Sequence, residues 1–224
     1  MYIYKTYMYS INFLINHVEN AINNAYNNIS KINNDILNIE GMSGNKTRHL
    51  YNNICNLENG HYLEIGTWKG SSFISAMYNN NINGTVIDNW SQFDGPKEEF
   101  NNNINKYLVN KNIKIIDKDC WTIINDDIIL PIDIYLYDGA HTVEDQRMAI
   151  TYYTKYCSKY FILLVDDWVS NNEVKPGTLQ GIEDSNLKIH YFNEIGLVNT
   201  DMYHTGGNTF WNGCGIFVCE RTDI

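Results

Sequence analysis

Basic residues are scarce in this chain: 16 Lys and Arg stand against 26 Asp and Glu among 224 residues, for a net charge of -10 and a pI near 4.9. Nucleic-acid binding draws on Lys and Arg to displace counterions, and no basic run is present, so no nucleic-acid partner is expected. Nowhere do the roughly 18 uninterrupted apolar residues of a membrane helix occur, and the amino-terminal stretch has no basic segment leading into an apolar one. The expectation is a soluble chain with no membrane partner, not exported. Five cysteines, Cys55, Cys120, Cys157, Cys214 and Cys219, form no CxxC pair. Their odd number and scatter suggest neither a disulfide framework nor a zinc site, so reduced thiols and a cytoplasmic setting are expected. If the Asn, Ile and Tyr excess reflects an AT-rich viral genome, that cytoplasm is a host's. In so Asn-rich a chain the sequons at Asn45, Asn83 and Asn89 read as coincidences. Also absent are a GxGxxG dinucleotide fingerprint and a GxxxxGK[ST] phosphate loop, which disfavours a nicotinamide or triphosphate ligand.

What is present is 44% hydrophobic and 13% aromatic residues, enough for one sizeable core, with no repeat or linker to divide the chain. Between Ile11 and Ile39 apolar residues recur at helical spacing, predicting one or two amphipathic helices. We expect residues 1–45 to form a helical lid and residues 46–224 the main domain. Further on, short apolar runs predict strands at Tyr62–Ile65, Thr85–Asp88, Ile113–Asp117, Ile132–Tyr137, Phe161–Val165, Lys188–Phe192 and Gly215–Glu220. Helices are expected at Ser72–Tyr78, Lys97–Leu108, near Trp121, and at Thr142–Tyr156, the last opened by a capping pair, Thr142 and Asp145. The stretch after Val165 is glycine-punctuated and is given no element before Lys188. Strands alternating with helices imply an α/β fold with a mainly parallel sheet covered on both faces. Ligands of such sheets sit beyond the carboxyl ends of the strands, so the residues there carry the argument.

After the first strand comes Glu64-Ile65-Gly66-Thr67-Trp68-Lys69-Gly70-Ser71-Ser72. Gly66 and Gly70 let the backbone turn sharply and a ligand approach, and the helix that follows offers free amides. An acid before GxxxG suits a ligand with a positive charge. Asp88 ends the second strand, about 20 residues on, at the usual distance for a carboxylate that accepts from ribose hydroxyls. Asp117-Lys118-Asp119-Cys120-Trp121 follows the third, where a carboxylate could accept from an adenine amino group. The fourth and fifth strands end in Asp138-Gly139-Ala140-His141 and Asp166-Asp167-Trp168. Three carboxylates within about 4 Å repel by several kcal/mol even at an effective dielectric near 20, so they need a cation or protons. A divalent metal answers that need, and hard oxygen ligands favour Mg2+. A metal on Asp138, Asp166 and Asp167 would acidify an acceptor hydroxyl, with His141 as base. Two readings compete. In a regular strand Asp166 and Asp167 point to opposite faces, and His141 could simply cap the next helix or orient Asp138.

In their order and spacing, YLEIGTWKGSSF, VIDNWSQFDG, YDGAH and ILLVDDW resemble the class I S-adenosylmethionine (SAM)-dependent methyltransferases, in particular the branch of TylF- and mycinamicin-type sugar O-methyltransferases. The resemblance runs from about residue 40 onward and includes GMSGNKTRHLYNNI, similar to that branch's segment closing over the cofactor. It implies a Rossmann-like seven-stranded sheet with an antiparallel last strand, supplied by GCGIFVCE. Carried over, Glu64, Gly66 and the backbone through Thr67, Gly70, Ser71 and Ser72 hold the methionine part. Asp88, with Asn89 and Trp90, would hold the ribose, Asp119 and Cys120 the adenine, and Met42 and Ser43 would touch the cofactor from the lid, with Asp138 at the reacting end. The metal acids of the metal-dependent sugar and catechol O-methyltransferases match Asp138, Asp166 and Asp167.

The resulting expectation is a SAM-dependent, Mg2+-assisted O-methyltransferase acting on a sugar, a nucleotide sugar or another small polyhydroxylated acceptor. Two alternatives stay open: a metal-dependent hydroxylase-like enzyme on the same scaffold, and a non-catalytic SAM-binding partner module. Homo-oligomerisation is also left open. Trp68, Trp90 and Trp168 read as loop packing, His190 as structural, and His204 as a solvated loop residue.

Overall fold

The continuous apolar runs become interior strands. In a computed structural model, which describes residues 9–128, 131–170, 172–196 and 207–224, β1 (His61–Ile65) and β4 (Ile132–Tyr137) are buried at every position. That burial requires helices on both faces of a parallel sheet. With β2 (Asn83–Asp88), β3 (Ile113–Asp117), β5 (Cys157–Asp166), β6 (Lys188–Ile195) and β7 (Cys214–Glu220) they form one seven-stranded sheet in the order β3-β2-β1-β4-β5-β7-β6. The strands from β3 to β5 are parallel, whereas β7 runs antiparallel to both β5 and β6. Strand order reverses between β1 and β4, which places a ligand crevice beyond Ile65 and Tyr137.

On one face pack α1 (Ile11–Tyr26), α2 (Asn34–Leu37), α3 (Asn45–Ile54), α4 (Ser71–Met77) and α5 (Lys97–Tyr107). Leu14, Val18 and Ala25 of α1 share one core with Tyr62, Leu136, Ile162 and Ile216 of the sheet. Asparagines, poor within helices, serve here at their ends: Asn33 Oδ1 caps α2, and Asn28 (φ +56°) turns the chain after α1. The other face is covered by α6 (Val143–Tyr153) and α7 (Val174–Asp184) over Leu63, Tyr135, Leu163 and Phe217. As the sequence predicts, Thr142 caps α6, its Oγ1 accepting from the Asp145 N–H at 3.1 Å.

The glycine-punctuated stretch after Val165, for which the sequence suggests no element, is helical over Val174–Asp184. Its glycines serve a helix contact: a Cβ on Gly177 would lie 2.3 Å from the Val143 carbonyl oxygen, and one on Gly181 2.7 Å from that of Arg147. Trp168 is 1% exposed and donates from Nε1 to Glu194 Oε2 at 2.7 Å, a packing role. His190, on β6, lies 2.8 Å from Glu220 Oε2. His204 lies outside the described residues. Among those described, no helix is long and apolar enough to cross a membrane.

Candidate active site

The loop after β1 is shaped by what it must pass. Gly66 has φ +80°, and a Cβ there would sit 2.0 Å from the Asp138 carbonyl oxygen, so this position brings the β1 and β4 exits together only as glycine. The Asp138 N–H in turn donates to the Ile65 carbonyl at 2.9 Å. Asp88 at the end of β2 holds the rest of the loop: Oδ2 accepts from the Thr67 and Trp68 N–H groups at 2.8 and 3.0 Å, and Oδ1 from that of Trp90 at 2.7 Å. A carboxylate offers about four lone-pair sites. Three are spent on backbone, leaving Oδ1 one for a ligand hydroxyl.

Glu64 is fully buried, with Oε1 accepting from Ser72 Oγ at 2.6 Å and Oε2 from Tyr62 Oη at 2.5 Å. Burial pushes its carboxyl up to about 7 despite these hydrogen bonds. Beside it Ser71 Oγ lies 3.4 Å from Ser43 Oγ, so Ser43 reaches the loop, whereas Met42 is 41% exposed. Asp119 caps a 3-10 turn at Cys120–Thr122 through the Trp121 N–H at 2.8 Å. Burial and then Asp119 push the half-buried Cys120 thiol up to about 12, keeping it neutral. Asn89 Oδ1 accepts from Ser91, and Trp90 is buried against Phe100.

Beyond β4 and β5 the acids divide. Asp166 is the last residue of β5, buried, with Oδ1 accepting from Tyr51 Oη of α3 at 3.0 Å. Asp167 leaves the strand at φ +53°. Its Oδ2 lies 2.8 Å from His141 Nε2, and Oδ1 accepts from Asn212 Nδ2 at 2.5 Å. Asp138, His141 and Asp167 each offer one ligand atom, all within 4.8 Å of one another. Asp166 stands outside this trio, while His141, expected as a base or a cap, stands within it.

Burial, then the neighbouring Asp166 and Asp167, drive the Asp138 carboxyl well above the carboxylate range; burial and Asp167 do the same to Asp166. Burial opposes ionisation of Asp167 too, but the His141 and Asn212 hydrogen bonds hold it lower than usual. His141 is raised, chiefly by Asp167. The cluster thus sets one histidine–carboxylate pair beside two acids whose ionisation burial and each other's charge oppose, an opposition that a bound cation would relieve.

Two members of this arrangement escaped the sequence reading. Asn212 had one signal, the turn-forming Asn-Gly pair ahead of β7, and takes φ +43°. Tyr51 had none, being one aromatic in a helix 115 residues from its partner.

The seven-stranded order β3-β2-β1-β4-β5-β7-β6, with β7 antiparallel, is the class I methyltransferase fold. In agreement, residues 63–168 match the family model of a methyltransferase domain. Among solved structures, an O-methyltransferase from Bacillus cereus in complex with SAH superposes with a TM-score of 0.57 at 13% identity, covering 96% of this chain and 94% of that one. Magnesium protoporphyrin IX methyltransferase (ChlM) from Synechocystis PCC 6803 with bound SAM gives 0.55 at 11% identity, over 96% and 86%. TrmN from Thermus thermophilus gives 0.55 at 10% identity over 84% of this chain, which spans about half of that protein's length, 52%. No curated protein is significantly similar in sequence.

Proposed function

We propose that this chain is a SAM-dependent O-methyltransferase acting, with a divalent ion such as Mg2+, on a hydroxyl of a sugar or other small polyhydroxylated acceptor. The observation that carries the reading is the contact of the two halves of the site. Gly66, in the loop suited to the donor, packs on the Asp138 carbonyl, and Asp138 belongs to the trio with His141 and Asp167. A methyl donor and an acceptor would therefore meet at adjacent strand ends.

The residues present fit both groups. Glu64 offers a buried acid to a cationic ligand end, Asp88 retains one acceptor site for a ribose hydroxyl, and Asp119, past β3, is the acid we assign to the adenine. The carboxylates of Asp138 and Asp167 are oxygen ligands that Mg2+ or Mn2+ accepts, which leaves the His141 ring nitrogen not held by Asp167 free to act as base. A divalent ion bound there would supply Lewis acidity to the acceptor hydroxyl.

The chain's own groups manage the proton. His141 is partly exposed beside Asp138, and Asp167 fixes its imidazole through Nε2 as a carboxylate orients a catalytic histidine. Once neutral, His141 takes the hydroxyl proton. The oxygen then forms its bond to the methyl carbon as the carbon–sulfur bond breaks and the pair stays on sulfur. Tyr51 donates to Asp166 and holds it buried outside the trio, where burial and Asp167 disfavour its negative charge.

The test is transfer of labelled methyl from SAM to free sugars, polyols and nucleotide sugars, with Mg2+ and with EDTA. Turnover with Mg2+ and loss with EDTA are expected. Turnover unchanged by EDTA would remove the ion, and no calorimetric binding of SAM would remove the donor.

A further inference from the structure

Arg48, on α3, is 1% exposed. Its Nε donates to Ser43 Oγ at 3.0 Å, and Nη1 donates to the carbonyls of Ile36, Leu37 and Ile39 at 3.2, 3.0 and 2.7 Å. All four acceptors are neutral. The arginines with carboxylate partners among the described residues are Arg147 and Arg221. Although burial lowers the Arg48 guanidinium to about 10, it is still cationic at neutral pH. A buried charge without a counter-ion is costly unless something the protein binds supplies one.

The unused side of this guanidinium faces the donor loop. Of its five N–H groups, those on Nη2 meet no acceptor among the described residues. A Cβ on Gly41 would lie 3.1 Å from Nη2 and 1.8 Å from Ser71 Oγ, so glycine keeps this corner clear. From Arg48 a run of hydroxyls leads to Glu64: Ser43 Oγ lies 3.4 Å from Ser71 Oγ, and the adjacent Ser72 donates to Glu64 Oε1 at 2.6 Å. One buried cation and one buried acid therefore flank the same pair of serines at the start of α4. Their charges complement the two ends of an α-amino acid.

Resting on the SAM reading above, we propose that Arg48, with Ser43 and Ser71, receives the α-carboxylate of the donor's methionine moiety while Glu64 receives its α-ammonium. The same guanidinium ties the carbonyls of residues 36, 37 and 39, so carboxylate binding also braces the segment that carries Met42 and Ser43.

Isothermal calorimetry with SAM, decarboxylated SAM and methylthioadenosine tests this. Wild-type protein should bind SAM about 10- to 100-fold more tightly than decarboxylated SAM, the scale of a charge-assisted hydrogen-bonded pair. Arg48→Gln should shrink that ratio to about threefold, with Arg48→Lys between the two. Ser43→Ala, which leaves the guanidinium in place, should narrow the ratio in part and covers the case in which Arg48→Gln does not fold. Equal wild-type affinity for SAM and its decarboxylated form would overturn the proposal, as would a full ratio in a folded Arg48→Gln. If methylthioadenosine binds but neither sulfonium ligand does, or nothing binds, the donor assignment itself falls and Arg48 with it.

Discussion

Glu64 shows what a single buried acid does to the pH dependence of stability. Both carboxylate oxygens are hydrogen-bonded to hydroxyls, yet burial still raises the group from 4.5 to about 7. The folded protein therefore holds a proton there that the unfolded chain releases. The stability this contributes is complete below about pH 4.5 and is lost as pH rises through about 7. A shift of that size corresponds to about 3 kcal/mol. His61, which burial lowers to about 4, acts in the opposite sense: its contribution is present above pH 6.5 and lost on acidification. Urea unfolding of wild type and Glu64→Gln at pH 5 and pH 8.5 separates the two effects, since His61 is common to both. The wild type should lose about 3 kcal/mol more than the variant on going to pH 8.5. Parallel pH profiles would mean that Glu64 ionises freely.

At the scale of elements, the contact of α6 with α7 depends on two small residues four positions apart. Gly177→Ala would set a methyl group 2.3 Å from the Val143 carbonyl oxygen and force the helices apart. The expected cost is about 2–3 kcal/mol, the range of overpacked interiors, read by thermal unfolding. A stability within 0.5 kcal/mol of wild type, the scale of an ordinary surface change, would show that the helices slide freely. These glycines also explain why α7 was not legible. Pro176, Gly177 and Gly181 carry the local signature of a breaker, and only the approach of α6 gives the glycines a use in a helix. The strands were legible as short apolar runs bounded by turn residues: Ile132–Tyr137, buried throughout, and the edge strand Ile113–Asp117 are both found where the sequence places them. The acids of the site could be found for the same reason, since each follows a recognisable strand. Their partners could not be, because Tyr51, Arg48 and Asn212 acquire meaning only when helix α3 and the turn before β7 are folded against distant loops.

The whole molecule assembles the trio from two strand exits, those of β4 and β5, and steadies it from the turn that enters β7. Asn212 is the external support: it stands in the turn that leads into β7, its amide holds Asp167 Oδ1, and its carbonyl accepts from the Val169 N–H at 2.9 Å. Partners that orient a metal ligand are commonly worth about 10- to 100-fold in metal affinity. Asn212→Ala should therefore weaken Mn2+ binding, followed by electron paramagnetic resonance, by at least about tenfold. SAM affinity should stay within about threefold, because the donor loop lies across β1 and β4 from this turn. Equal Mn2+ affinity in the two proteins would show that Asp167 needs no such support.

The position of β7 between β5 and β6 has a consequence for synthesis. Every hydrogen-bonded neighbour of β6 is on β7, which leaves the ribosome after it. While the first five strands can pair in the nascent chain, β6 must wait as an unpaired ribbon, and one edge of β5 stays open until Cys214–Glu220 is free to slot between them. Completion of the sheet thus waits for β7, and until then the open β5 edge is where a holdase chaperone would have most to protect.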